Sequence, residues 1–163
     1  MIALQIRHVK EFMKRLLLQD AFDRFLVSEA SVTTFATFTV DGELHPDFYS
    51  PEEAGELRAS GRRQVLWREV KPFCLSIIRG KRTPLSFKFV FQLPPEEAAL
   101  LAEKSSPDLS AEDIFGLYLN CQYNGEILTL TTGSSLRKFT LDKSLDHAWD
   151  EMLQEFLRLQ DLD

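Results

Sequence analysis

The chain is expected to fold as α+β. The expected form is a mainly antiparallel sheet built from two duplicated strand-helix-strand-helix halves, with helices packed on it. The halves are residues 1–82 and 83–163 of a single domain. Three stretches predict this. Leu85, Phe87, Phe89, Phe91 and Leu93 alternate with Ser86, Lys88, Val90 and Gln92, which is the period of a strand. Residues 114–132 alternate on both sides of Asn124-Gly125, a dipeptide suited to a two-residue hairpin turn. Residues 35–44 echo that stretch around Asp41-Gly42, 83 positions before Gly125. Trp67 and Trp149 follow at an offset of 82, and Phe73 and Phe156 at 83. Agreement of three offsets points to an internal duplication. Short, hairpin-linked strands favour an antiparallel sheet over parallel βαβ units.

Taken in order, Ile2, Leu4 and Ile6 predict a short strand. Val9, Phe12, Met13, Leu16 and Leu17 recur at helical spacing and predict a helix over residues 7–19. Residues 26–40 are rich in Val, Thr and Phe, enough for two strands or one bent one, turning at Asp41-Gly42. Pro46 would confine the return strand to a sheet edge. Residues 50–61 read as a polar loop with at most one helical turn. In residues 65–78 Pro72 opposes a continuous helix, so a start near Lys71 is predicted. After the strand at 85–93, Pro94-Pro95-Glu96-Glu97 opens a helix to about Lys104. In the hairpin, a two-residue loop would pair Cys121 with Leu128 and Leu119 with Leu130. Leu117, Leu119, Cys121, Leu128 and Leu130 then share a buried face. Gly133 is expected to turn the chain into another strand near 136–141. Ser144 is the expected N-cap of a last helix, with Leu145, Trp149, Met152, Leu153, Phe156 and Leu159 as its apolar stripe.

A hydrophobic content of 44%, with 13 Phe, excludes a disordered chain. No apolar run approaches the roughly 20 residues of a membrane helix, and no signal peptide is evident, so no membrane partner and a cytoplasmic location are expected. Cys74 and Cys121 sit in apolar runs and read as buried free thiols. The net charge of −6 is unevenly shared, +2 over residues 1–82 and −8 over residues 83–163. An anionic ligand would therefore bind the first half. The candidate anion-binding residues are Arg7, Lys10, Lys14 and Arg15 beside the first helix, with Arg79, Lys81 and Arg82 in the RGKR turn.

Catalytic and metal clusters need several groups converging on one point. His45 near Asp47, and His147 near Asp146 and Asp150, are the local His-carboxylate neighbourhoods. Each reads as surface. Cys pairs at zinc spacing are absent, and neither Cys has a flanking base. Thr131-Thr132-Gly133-Ser134-Ser135 lacks the Walker pattern. No catalytic residue, metal or cofactor is expected.

Three stretches, IALQIRHVKEFMKRLLL, RGKRTPLSFKFVFQL and YNGEILTLTTGSSLRKFTLDKSLDHAWDEM, resemble an uncharacterised clostridial (Firmicutes) family of small proteins filed as a domain of unknown function. The resemblance implies no activity and carries over no site residue. In topology alone, a twice-repeated strand-helix-strands unit is similar to a DNA sliding-clamp domain. The expected function is a non-catalytic binding protein with a protein partner. The alternatives are nucleic-acid association through the basic first-half helix, and an enzyme whose site has no sequence signature.

Overall fold

A computed structural model describes residues 1–162. The fold is α+β, with a six-stranded antiparallel sheet in the order β1-β6-β5-β4-β2-β3. The strands are β1 (Ala3–Ile6), β2 (Leu26–Thr33), β3 (Thr37–Val40), β4 (Ser86–Gln92), β5 (Ile114–Tyr123) and β6 (Leu128–Leu136). The helices are α1 (Val9–Leu17), α2 (Pro51–Ser60), α3 (Trp67–Ile78), α4 (Pro95–Ser105) and α5 (Ser144–Leu159).

Alternation divides the sheet into two faces. Phe87, Phe89, Phe91, Leu117, Leu119, Cys121, Leu128 and Leu130 are buried on one. Ser31, Lys88, Asn120, Gln122, Thr129, Thr131 and Gln5 lie on the other, and none of them is buried. The helices bring aromatic rings to the first face. Phe91 meets Phe22, Phe25 and Trp67 at centroid distances of 5.9, 6.0 and 5.2 Å, and Phe22 meets Phe12 and Phe156 at 5.5 and 5.2 Å. Rings from α1, α3, α5, β4 and the α1–β2 connection thus share one core. Such tilted and edge-to-face contacts suit the ring quadrupoles.

The hairpin has the expected face but another register. Tyr123 pairs with Leu128, Cys121 with Leu130 and Leu119 with Thr132. Asn124 Oδ1 accepts from the N–H groups of Glu126 and Ile127, at 2.9 and 2.8 Å, which opens the loop to four residues. A shift by two keeps every side chain on its own face.

Other boundaries change for local reasons. The β2–β3 hairpin turns at residues 34–36, where Thr34 N–H donates to the Ala36 carbonyl, and not at Asp41-Gly42. Gly42 instead bends the chain back against the β-bulge in β2, with φ of +75°. Pro46 opens a 3-10 turn (Pro46–Phe48) and belongs to no strand. The expected loop at 50–61 is α2. Its Ser50 Oγ accepts from Glu53 N–H at 3.2 Å, Pro51 stands at N1, and Gly61 ends it in the left-handed region. Its apolar signal is faint because Ala54 is its one buried residue. Helix α3 starts at Trp67, not Lys71: Glu69 caps Leu66 N–H at 2.8 Å, and exposed Pro72 is accommodated inside. Gly133 is within β6 opposite Tyr118, so no turn or separate strand follows it. In α5 the buried stripe is Leu145, Trp149, Leu153 and Leu157, while Leu159 is exposed.

Both halves run strand, helix, strand, strand and close with a helix, α2 being extra in the first. Their pairings do not interchange, because β1 pairs with β6 whereas β4 pairs with β2 and β5.

A buried polar link joins α5 to the sheet. Thr132 Oγ1 donates to Asp150 Oδ1 at 2.5 Å and accepts from Ile2 N–H at 2.9 Å. Both side chains are buried. Thr132→Val keeps the shape but removes both bonds, so a loss of about 2 kcal/mol in unfolding free energy is expected from urea melts. A loss below about 0.5 kcal/mol would show that the link contributes little.

Candidate functional site

Three connections close one end of the sheet: residues 34–36, 79–85 and 124–127. Leu85 N–H donates to the Thr33 carbonyl at 2.9 Å. A Cβ built on Gly125 would lie 3.0 Å from the Leu85 carbonyl oxygen, so the third connection abuts the second. Strand β1 also ends here, since Ile6 faces Leu128. Arg7 and the start of α1 therefore emerge at this end, as does the end of α3 that leads to Arg79.

Of the sequence-predicted bases, Arg7 follows β1 and Arg79, Lys81 and Arg82 lie in the second connection, while Lys10 stands at the start of α1 and Lys14 and Arg15 in its last turn. Arg7, Lys10, Lys14, Arg79, Lys81 and Arg82 are all exposed. Among the described residues, none of the six forms an ion pair. Arg7 precedes α1 rather than belonging to it, so helical spacing relates Lys10 and Lys14 alone. Arg15 differs from the others. It is half-buried, and its guanidinium donates to Gln19 Oε1 at 2.6 Å.

Sequence reasoning missed the apolar part of this end. Phe35 is 93% exposed, Leu85 66%, Ile127 41% and Phe38 38%. Alternation assigns such residues to strands, but each lies in a turn, beside one, or on the short edge strand. The turn residues that flank them were the available signal. Glu126 is the one carboxylate within the three connections.

The opposite end differs in charge pairing. A cleft of about 710 Å³ there is lined by Arg24, Arg62, Arg68, Glu53, Glu56 and Glu69 among others. Arg62 and Glu69 make a two-point ion pair at 2.6 and 3.3 Å, and Arg24 pairs with Glu97 at 3.1 Å. Burial pushes the Glu69 carboxyl up, but the Arg62 guanidinium and the Leu66 N–H together hold it below the usual carboxylate range. Arg24 and Arg62 are thus committed within the fold, while Arg63 and Arg68 in the same lining form no ion pair among the described residues.

Asp41, Glu43 and His45 bring three ligand atoms within 4.8 Å of one another, with His45 Nε2 3.7 Å from Asp41 Oδ2. An imidazole with two carboxylates would suit a borderline transition-metal ion such as Zn rather than Ca or Mg, and all three are exposed to water. The close carboxylates are thus Asp41 and Glu43 rather than the expected Asp47.

Cys74 and Cys121 are buried free thiols. Burial pushes the Cys74 thiol up to about 11 and the Cys121 thiol higher, so neither supplies a thiolate near neutral pH. The backbone of 131–135 is paired with β5 and does not form an anion-binding loop. Among the described residues, no helix is long and apolar enough to cross a membrane.

Residues 15–163 match the model of a family of unknown function (DUF5721). No curated protein and no solved structure matches the chain.

Proposed function

The chain belongs to that family of unknown function, and we propose that it is a non-catalytic binding protein that takes an anionic partner at the basic end of its sheet. The observation that carries the reading is a set of six exposed cations that form no ion pair among the described residues, Arg7, Lys10, Lys14, Arg79, Lys81 and Arg82, on a chain of net charge −6. Elsewhere Arg24, Arg62, Lys71, Lys138 and Lys143 are matched by carboxylates, while Arg58, Arg63, Arg68, Lys88, Lys104 and Arg137 form no ion pair among the described residues but are not gathered in one connection as Arg79, Lys81 and Arg82 are. Unmatched cations retain their field and attract an anionic surface, and Arg79, Lys81 and Arg82 are gathered in one connection. Arg15 contributes least, because its guanidinium is turned to Gln19. Exposed aromatic and aliphatic side chains beside the bases add contact area to the charge.

Lys10→Glu with Lys14→Glu tests the reading. Both side chains are exposed on α1, opposite buried Phe12 and Leu16, so stability should change by less than about 0.5 kcal/mol. Retention on heparin at low salt should be lost, while the parent elutes as salt screens the contact. Co-elution of variant and parent would remove α1 from the surface.

A further inference from the structure

We infer that this end docks on the surface of an anionic lipid bilayer, with Phe35, Leu85 and Ile127 entering the interface and Arg79, Lys81 and Arg82 meeting the headgroups. The inference rests on the reading above and names its partner.

The apolar tips carry the argument. A Phe exposed to 93% adds little to the folded core, and such exposure becomes informative where other apolar tips share its surface. Phe35, Leu85 and Ile127, exposed to 93%, 66% and 41%, sit in neighbouring connections at one end of a single sheet. They span the strands from β3 to β6, roughly 19 Å at about 4.8 Å per strand. A rigid row of this kind can meet a plane all at once, with no ordering of the backbone. Phe35 and Phe38 pack edge to face, with centroids 5.7 Å apart, which holds the leading ring in place.

The surrounding charge selects the occupant. Arg79, Lys81 and Arg82 lie in the same connection as Leu85, and Arg7 follows β1, which pairs with the β6 strand that Ile127 leads into. Apolar side chains inserted among headgroups, with cations above them, are the two signals that together hold a protein on an anionic membrane. A base-stacking platform would need flat faces along the row, and Leu85 and Ile127 have none. Phe139 and Phe48, each 87% exposed, lack this setting. Phe139 adjoins Arg137 and Lys138, but Arg137 covers the Phe115 ring and Lys138 pairs with Asp113. Phe48 stands beside Asp47. The lack of a spanning helix, from which no membrane partner was expected, has no bearing on docking at the surface.

The test is sedimentation of the full chain with vesicles of phosphatidylcholine, with and without phosphatidylglycerol, beside heparin retention and an oligonucleotide mobility shift. The parent should co-sediment with the phosphatidylglycerol vesicles alone. Phe35→Ser with Leu85→Ser replaces two exposed side chains, so circular dichroism and melting should match the parent. This variant should lose about tenfold or more in vesicle affinity and elute from heparin with the parent. Arg79→Glu with Lys81→Glu and Arg82→Glu should lose about a hundredfold or more on vesicles and weaken on heparin as well. Heparin retention without co-sedimentation would overturn the bilayer inference and leave the anion-binding reading standing. Failure of the parent on both would overturn both. Vesicle binding unchanged by Phe35→Ser with Leu85→Ser, or an oligonucleotide shift abolished by it, would also overturn the inference, the latter in favour of nucleic acid.

Discussion

Trp67→Ala is expected to cost about 5 kcal/mol of unfolding free energy, a large share of the roughly 5–15 kcal/mol that holds a domain folded. Trp67 has no exposed surface. Its ring sits 5.0 Å from Phe89 and 5.2 Å from Phe91, so it is the piece of α3 that fills the centre of the sheet. Truncation leaves a cavity that rigid β-strand neighbours cannot close, and truncations of Phe or Trp in cores cost roughly 3–5 kcal/mol. A second loss adds to this. The indole Nε1–H donates to the Leu16 carbonyl at 2.8 Å, and that acceptor, near the end of α1, is left without its partner at about 1 kcal/mol or more. Urea melts should show the midpoint falling steeply. A loss under about 2 kcal/mol would mean that α3 can repack and that Trp67 does not hold it.

Gly42→Ala should be the most damaging single-atom change, at about 3 kcal/mol or more. Two separate conflicts contribute. With φ at +75°, Gly42 occupies a region where a Cβ is strained. An added Cβ would also stand 2.1 Å from the Val27 carbonyl oxygen and 2.9 Å from that of Ser28. Both are backbone atoms of β2, so neither can swing aside. The Gly42 carbonyl is itself tied down, accepting from Val65 N–H at 2.8 Å. Gly61→Ala separates the two conflicts. Gly61 has φ of +74° but nothing within 4 Å of an added Cβ. It should therefore show the conformational cost alone, about 1 kcal/mol. Equal losses in the two variants would mean that the close approach of residue 42 to β2 is absent.

Periodicity was readable wherever one element met one environment. Phe87, Phe89 and Phe91 alternate because β4 is a central strand with the helix layer on one face only, and Leu145, Trp149 and Leu153 repeat because α5 covers that face. Where a residue serves the core from an irregular segment, no period announces it. Phe22 and Phe25 are buried in the connection between α1 and β2, among residues whose polar neighbours read as a helix end. Helix α2 was hidden for the opposite reason. Its caps, Ser50 and Gly61, were in plain view, but with only Ala54 buried it lacks an apolar stripe. The candidate site divides in the same way. Its bases were legible as charge in the first half. Its apolar tips were not, because Phe35 and Leu85 read as continuations of strands.

The sequence by itself determined the α+β class, the core face of the central strands, the position of the Asn124-Gly125 hairpin and the residues that carry positive charge. Each of these depends on the spacing of side chains along a short stretch. Tertiary structure alone decided the register of the hairpin, the pairing of β1 with β6, the fit of Gly42 against β2 and the meeting of three connections at one end. A period of two is unchanged when a strand slips by two residues, so alternation selects a face without selecting a partner. Which turns share an end, and hence whether Phe35, Leu85 and Arg79 form one surface, follows only from strand order. That order is set by long-range pairing and core filling, which no local pattern encodes.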